Sequence, residues 1–486
     1  MVDLRLSIYA KMSATAISIA SVGLIKLIFN IFIGRSFGEE ILGEISVALA
    51  IIMIVSTICG AGISNGTTRL LSRRIEKEPK VIPEVYGGAV ITIALSTLIA
   101  ASVIILFSHE ISSFLEINIT LIYFVAIVSV LRSIYLLLRG AMYGLDVIDT
   151  YYKIELVVDL LFLLALFGTL EIVGYKNAFL PFVIMYVTFI LISAVLIHKK
   201  IGAPRVSKAM FSETVSSSMI LTLGTGSSIG MTNMGFILGA IWIAKGDIGL
   251  FSAAFQIAAM FLIITQVTNN VLFPTFARMS AREDRTGLKC AYVKSIYLLA
   301  IVAITISGTA ALSAPHILKI LYGSVFADAS PMLEILLLGT AIYMVASPAV
   351  SILTSSRIRD VWISTKASIL AASASILFWI IALDWIGPLG LPIGILIGYS
   401  IQAFIPLFIS TRRLTANLKN TLNAILLGFG LFAITRVISS LLQPEISWIM
   451  AVLFLIIIVV IFKRDIKELI GLSLRSLREL TSPQND

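Results

Sequence analysis

Charged residues are scarce in this chain. Asp, Glu, Lys and Arg make up only 13% of its 486 residues, whereas soluble domains carry about 25%. This scarcity excludes a soluble globular enzyme and a disordered chain. Cysteine and histidine are also rare, at two and three residues. With no CxxC pair and no clustered histidines, the sequence predicts neither a disulfide framework nor a metal site, and we expect no cofactor beyond a coupling ion.

The chain is rich in long apolar segments. Hydrophobic residues make up 58% of it, and the mean hydropathy is +1.03. A membrane-crossing helix needs about 20 mostly apolar residues. The runs that meet this need lie near 13–33, 42–64, 85–107, 119–140, 154–170, 178–197, 212–243, 248–274, 290–313, 331–353, 362–383, 388–410, 422–441 and 447–462. They predict an all-α polytopic membrane protein with about fourteen transmembrane helices.

The distribution of Lys and Arg predicts the orientation of these spans. If the N-terminus faces the cytoplasm, most of the 36 basic residues fall in the termini or in cytoplasmic connectors. The opposite connectors hold only Arg35, Lys176, Lys245 and Lys319. This positive-inside pattern places both termini on the cytoplasmic side of the inner membrane. It also accounts for the formal charge of +9 without a nucleic-acid partner.

Two segments of the sequence resemble each other, at 31–51 and 240–260. In each, a long span leads into a short turn with a basic and then an acidic residue. An apolar-Gly step follows, Leu42-Gly43 in the first copy and Ile248-Gly249 in the second. The copies are an even number of spans apart, so they share one orientation, as in transporters with parallel repeats. We expect six-helix lobes at 1–205 and 206–415, two additional helices at 416–462 and a cytoplasmic amphipathic tail at 463–486.

Two motifs lie at the ends of the second span. GRSFGEEILGEISVALAI leads into it from the first span, and GAGISNGTTRLLSRR, at 60–74, ends it. With spans arranged as six, six and two, the chain resembles the polysaccharide transporter (O-antigen flippase) family of the multidrug/oligosaccharidyl-lipid/polysaccharide (MOP) exporter superfamily. The resemblance implies a V-shaped, MATE-like transporter, not an enzyme. It implies a flippase that moves a polyprenyl- or dolichyl-linked oligosaccharide across the bilayer by alternating access, beside polymerase or glycosyltransferase partners.

Several polar side chains fall inside the predicted spans, where they are costly and suggest a functional site. Arg132 and Arg139, seven residues apart on span 4, share a helix face, as do Glu155 and Asp159 on span 5. Arg and Lys in a water-filled cavity would lower the barrier to a (pyro)phosphate headgroup, Arg by bidentate pairing. The candidate substrate-binding residues are Lys26, Asn30, Arg35, Arg132, Arg139, Asn233 and Arg436, and the candidates for coupling to a proton or sodium ion are Glu155 and Asp159.

Other interpretations of these residues stay open. Lys26 and Arg436 lie near enough to the outer headgroups for their long side chains to snorkel. Arg139 and Asp159 lie at similar depths and could form a structural ion pair. The glycines around Asn233 in span 7 could serve close helix packing rather than a bend.

Other functions also stay open. A cation-coupled multidrug extruder of the same superfamily is disfavoured. Members of that branch typically use an acidic residue in the first span for cation exchange, and span 1 of this chain carries none. A lipid II-type flippase fits the same observations as the oligosaccharide flippase. A membrane polymerase or glycosyltransferase is disfavoured because no outer connector is long enough for an active-site loop.

Overall fold

The computed structural model describes residues 2–75, 78–355, 358–441, 447–463 and 465. Every regular element in these ranges is helical. The α-helices are α1 (Val2–Ser56), α2 (Gly62–Arg74), α3 (Ile82–Leu106), α4 (Ser108–Leu115), α5 (Ile119–Gly144), α6 (Ile148–Val173), α7 (Leu180–Ile201), α8 (Lys208–Trp242), α9 (Lys245–Ala281), α10 (Arg285–Leu312), α11 (Ala314–Tyr322), α12 (Ser330–Ser355), α13 (Ile358–Ile386), α14 (Gly390–Leu414), α15 (Lys419–Leu441) and α16 (Ser447–Ile461). The predicted cytoplasmic tail at 463–486 lies outside the described residues, except for residues 463 and 465.

Each predicted apolar run falls on one of these helices. Within the described residues, nine helical segments are long and apolar enough to cross a membrane. Two of them, Ala20–Arg74 and Asp360–Leu414, contain 55 residues each. At 1.5 Å per residue each would be about 80 Å long, more than twice the ~30 Å of a bilayer core, so each supplies two crossings. The predicted all-α polytopic fold with about fourteen spans is confirmed.

Glycine residues divide both long segments. Gly38 has φ 83° and ψ −179° inside α1, and Gly387 has φ 68° between α13 and α14. A side chain strongly disfavours such positive φ values, whereas glycine adopts them readily. These bends separate span 1 from span 2 and span 11 from span 12.

The chain forms two compact units, each with its own internal packing. We call residues 17–252 with 368–394 the N-terminal unit, and the described residues of 2–16, 253–367 and 395–465 the C-terminal unit. These units follow spatial contacts, whereas the predicted lobes follow the sequence repeat, and the lobe boundaries stay a prediction.

Within the N-terminal unit, α8 packs along α2 and α3. Small residues allow this close approach: a Cβ on Gly62 would overlap Thr222, and one on Gly66 would lie 2.5 Å from the Ser218 hydroxyl. Close backbone contact through glycine and serine is a general device of membrane helices. Span 7, placed by sequence in the second lobe, therefore packs here against spans 2 and 3.

The two similar segments of the sequence meet each other inside this unit. The Ser46 hydroxyl donates to the Ser252 hydroxyl at 2.6 Å, and these serines are 206 residues apart, the offset that also separates Gly43 from Gly249. A Cβ on Gly43 would overlap the carbonyl of Lys245, and one on Gly249 would overlap the equivalent carbonyl in the first copy. The contacts are therefore reciprocal, as in a local pseudo-twofold arrangement with the serine pair at its centre.

In the C-terminal unit, α10 packs against α12, α15 and α16. Phe454 of α16 is fully buried beside Ile301 of α10, and its ring fills the space that a side chain at Gly308 would occupy. The last two helices are thus held to α10 by an apolar core.

Candidate functional site

The charged face of α5 is the starting point of the candidate site. Arg132, Tyr135 and Arg139 recur at spacings of three and four residues and therefore line one side of the helix. The Arg132 guanidinium donates to the hydroxyl of Ser56 and is hydrogen-bonded to Tyr186 of α7. Within the part of the chain that the structure describes, this arginine is hydrogen-bonded to hydroxyl oxygens and to no carboxylate.

A π-helical turn, Thr57–Ala61, begins directly after Ser56. Such turns interrupt α-helices mainly at functional sites because they rotate the side chains on either side. The turn lies against α5, where Gly60 has no side chain and a Cβ there would be 2.9 Å from the Ser133 Cα. The close contact brings Ser56 within reach of Arg132.

The carboxylates of α6 face α5. Tyr151, Glu155 and Asp159 are spaced by four residues on one face of α6, and all three are at most 5% exposed. Glu155 accepts a hydrogen bond from the Tyr135 hydroxyl at 2.6 Å and another from Tyr151. Asp159 is hydrogen-bonded to Ser21 of α1. One oxygen of each carboxyl group has no partner among the described residues.

Arg139 lies between aromatic rings and one carboxylate. Its guanidinium is 5.8 Å from the centre of the Tyr143 ring and 5.7 Å from that of Tyr151, a distance typical of cation–π contact. Its electrostatic partner on α6 is Glu155. Among the described residues Arg139 forms no ion pair with Asp159, so that alternative is wrong; the carboxyl group that interacts electrostatically with Arg139 is that of Glu155.

Lys26 of α1 completes the cluster. It is close enough to Arg132 and Arg139 to experience the repulsion of both positive charges. We call Lys26, Arg132, Arg139, Glu155 and Asp159 the charge cluster. It holds three basic groups and two carboxyl groups, so it is net positive when all three basic groups carry their charge. A positive site at membrane depth attracts an anionic group.

The other predicted binding residues in the N-terminal unit have hydrogen-bond partners outside the charge cluster or are exposed. Asn30, 4% exposed, donates to the Ser252 hydroxyl at 3.0 Å and so supports the contact between the two repeat copies. Asn233 donates to the carbonyl of Ile229, one turn earlier on its own helix, at 2.9 Å. Arg35 is exposed near the Gly38 bend.

Arg436 belongs to the C-terminal unit, where it pairs with Glu334 of α12 at 2.8 Å. Arg436 was predicted to bind substrate, and its partner Glu334 was not recognised from the sequence. This ion pair cancels the charge of Arg436, so it adds nothing to a net positive set.

Four polar partners in the N-terminal unit were also overlooked: Ser56, Tyr135, Tyr151 and Tyr186. Two of them could have been recognised from their position on a helix face. Tyr135 lies between the arginines on the face of α5, and Tyr151 lies one turn before Glu155 on α6. Nothing local marks the other two, because they come from different spans.

Solved structures define the class of protein to which this fold belongs. An inward-facing multidrug resistance MATE family transporter of the MOP superfamily matches with a TM-score of 0.70 and 14% identity, over 82% of this chain and 98% of that one. The lipid II flippase MurJ, in an inward closed conformation, matches with a TM-score of 0.70 and 14% identity, over 94% and 99%. A MOP superfamily transporter from Pyrococcus furiosus, with a binding pocket described as reversed in polarity, matches with a TM-score of 0.62 and 16% identity, over 83% and 95%. The fold is that of the MOP transporters.

The family follows from the sequence itself. Residues 88–331 match the family model described as "Polysaccharide biosynthesis protein". The match spans half of the chain, and the protein belongs to this family. No curated protein sequence matches with significant similarity.

Proposed function

We propose that this protein is a flippase that moves a lipid-linked oligosaccharide across the cytoplasmic membrane by alternating access. The observation that carries the proposal is the charge cluster, in which the partners of Arg132 among the described residues are hydroxyl groups. Membership of the polysaccharide biosynthesis family supports a sugar-containing cargo. The likeness to a lipid II flippase over 94% of the chain supports a lipid-linked one.

The cargo is a polyprenyl or dolichyl lipid whose phosphate or diphosphate joins it to the sugar. This headgroup creates the main barrier to crossing the membrane, because moving an anion from water into a low-dielectric medium costs at least several kcal/mol of desolvation free energy. Arg132 can exchange its hydroxyl partners for phosphate oxygens without leaving a carboxylate unpaired. Lys26 adds a second donor, and repulsion between the two cations falls when an anion comes between them.

The carboxyl groups are the proposed site of energy coupling to a proton or sodium ion. Glu155 and Asp159 are buried, and each has one oxygen without a partner among the described residues. A buried carboxyl oxygen left unpaired is costly, so binding a proton or a cation there stabilises the site. Ion release would make the cluster less positive and weaken its hold on the phosphate.

A cation-coupled multidrug extruder is the second candidate function. The two buried carboxyl groups of α6 and the likeness to a multidrug resistance MATE transporter favour it. The net positive charge of the cluster opposes a cationic drug. A lipid II-type flippase shares the proposed chemistry and differs only in the sugar carried.

We further propose that the protein resides in the inner membrane with both termini in the cytoplasm. The concentration of Lys and Arg in alternate connectors supports this orientation. A cytoplasmic loading side fits a cargo assembled from cytoplasmic sugar donors. A polymerase or glycosyltransferase acting on the opposite side would consume the product.

The test is transport by purified protein in proteoliposomes. A fluorescent polyprenyl-diphosphate oligosaccharide reports flipping when an added quencher can no longer reach it. Ethidium efflux under a proton or sodium gradient is measured on the same vesicles. Flipping without ethidium efflux is the expected result. Ethidium efflux without flipping would contradict the flippase proposal and establish the second candidate.

A further inference from the structure

A cavity of about 560 Å³ lies in the C-terminal unit between the first turns of α10 and the start of α15. It is separate from the charge cluster and has no part in the proposed transport step. Its walls are Thr286, Lys289, Cys290, Val293, Lys294, Tyr297, Asn417, Asn420 and Thr421. Most of these residues carry a polar group, and the carbon atoms of their side chains make up most of the cavity surface.

The spacing of the α10 residues forms this wall. Thr286, Lys289, Cys290, Val293, Lys294 and Tyr297 recur at intervals of three and four residues and so make one continuous face of the helix. Lys289 and Lys294 lie about 6 Å and 13 Å along the axis from the first residue of α10. In the proposed orientation this is the depth of the headgroups of the inner leaflet.

The opposite wall supplies uncharged polar groups. Asn417 and Asn420 are exposed beside the cavity, and Thr421 is 3% exposed. The hydroxyl of Thr421 has no hydrogen-bond partner among the described residues. A buried hydroxyl without a partner is costly.

The deep end of the cavity has a different character. Val293 is apolar, and the Tyr297 hydroxyl is hydrogen-bonded to Asp465, just beyond α16. That carboxylate repels an anion from the Tyr297 end, so a phosphate would be held nearer Lys289. Hydrogen-bond donors at one end of the cavity suit a phosphate group. The apolar wall at the other end suits the glycerol backbone to which that phosphate is attached.

We propose that this cavity binds the phosphate headgroup of an anionic phospholipid from the inner leaflet. Two lysines, two amide side chains and an unpartnered threonine hydroxyl supply the donors, and Val293 contacts the glycerol end. A basic residue near an anionic lipid surface strengthens binding by about fivefold. Loss of both lysines therefore weakens binding by more than tenfold.

Cys290 provides a reporter inside the cavity. It is exposed, whereas the other cysteine, Cys59, is buried. Purified protein is placed in nanodiscs of phosphatidylcholine alone or with added phosphatidylglycerol, and Cys290 is labelled with an uncharged maleimide. The rate is followed by mass spectrometry. Phosphatidylglycerol is expected to slow labelling severalfold in the wild type and not in the Lys289→Gln/Lys294→Gln variant.

The matched control is Lys366→Gln, which removes an exposed charge from α13 in the same unit. It is expected to keep full protection of Cys290. Equal labelling rates in both lipids would overturn the proposal, as would protection that persists in the double lysine variant. A third outcome is that inorganic phosphate protects Cys290 in phosphatidylcholine discs whereas phosphatidylglycerol does not. That result would show that the cavity binds free phosphate, and it would overturn the proposal of a lipid headgroup.

A second readout counts lipids directly. Native mass spectrometry of the wild type is expected to show one retained phosphatidylglycerol more than the double lysine variant shows. Identical lipid counts would contradict the proposal even if labelling rates differed. Neither readout depends on flipping, so failure of this proposal and failure of the transport proposal are distinguishable.

Discussion

Replacing Gly43 with alanine is expected to force apart the two repeat copies at their closest contact. The added Cβ would overlap the carbonyl oxygen of Lys245 and lie 2.9 Å from its carbonyl carbon. To reach the ~3.3 Å at which carbon and oxygen normally meet, the segments must separate by roughly 1 Å. That movement stretches the 2.6 Å hydrogen bond between Ser46 and Ser252.

The magnitude follows from two terms. Overpacking costs about 1–3 kcal/mol, and a lost hydrogen bond adds about 1 kcal/mol. We therefore expect Gly43→Ala to lose about 2–4 kcal/mol of stability. Gly249→Ala makes the reciprocal overlap and is expected to lose a similar amount. Since one separation relieves both overlaps, the double variant should lose little more than either single variant, so the coupling is about as large as the loss of one single variant.

The assay is thermal stability in detergent, measured as the folded fraction that survives heating and size-exclusion chromatography. Gly168→Ala in α6 is the control, because a Cβ there meets nothing within 4 Å. It should match or exceed the wild type. The reasoning is refuted if Gly43→Ala is as stable as the control, or if the losses of the two glycine variants simply add.

Three further predictions concern pairs of polar residues. Arg436→Gln should lower stability by about 2 kcal/mol because it strands a half-buried carboxylate, and adding Glu334→Gln should restore part of the loss in the same heating assay. Arg74 contacts both carboxylate oxygens of Glu213 at 2.7 and 2.8 Å, so reversing either charge should destabilise the protein by about 1 kcal/mol and reversing both should restore it; no rescue would contradict the pairing. Tyr135→Phe removes the hydrogen bond to its buried carboxylate partner and should cost about 1–3 kcal/mol, whereas unchanged stability would show that the carboxyl group finds another donor.

The fold could be predicted from the sequence because the bilayer imposes a length on every span. Runs of about 20 apolar residues are therefore visible one by one, and each falls on a helix in the structure. The repeat was equally visible, since Gly43 and Gly249 each follow an aliphatic residue, after a basic and then an acidic residue. The similarity of the two copies could be recognised in the sequence. The reciprocal contact between them could not be predicted from it.

The charge cluster could be predicted only along each helix. The spacing of Arg132 and Arg139 on α5, and of the two carboxylates on α6, follows from helical periodicity. Which carboxylate faces Arg139 depends on the rotation of α6 against α5, and helix spacing does not specify that rotation. The π-helical turn after Ser56 has no sequence signature, so the partner of Arg132 was not predictable.

Partners that lie far apart along the chain escaped the sequence analysis for the same reason. Asn30 is 222 residues from Ser252, and Arg436 is on a different helix from Glu334. Each was judged as a single polar group at a certain depth. Depth predicts the cost of burying such a group, but only the packing of helices shows what satisfies it.

The most direct test of the central claim is flipping by Arg132→Gln in proteoliposomes containing the fluorescent polyprenyl-diphosphate oligosaccharide. Lys153→Gln, which removes an exposed charge from α6, is the control, and both variants are first shown to be as stable as the wild type. The account predicts that Arg132→Gln loses at least tenfold in flipping rate, since a charged hydrogen bond contributes about 1.5–3 kcal/mol, while Lys153→Gln keeps the wild-type rate. Full flipping by a folded Arg132→Gln protein would contradict the claim that the charge cluster carries the anionic headgroup.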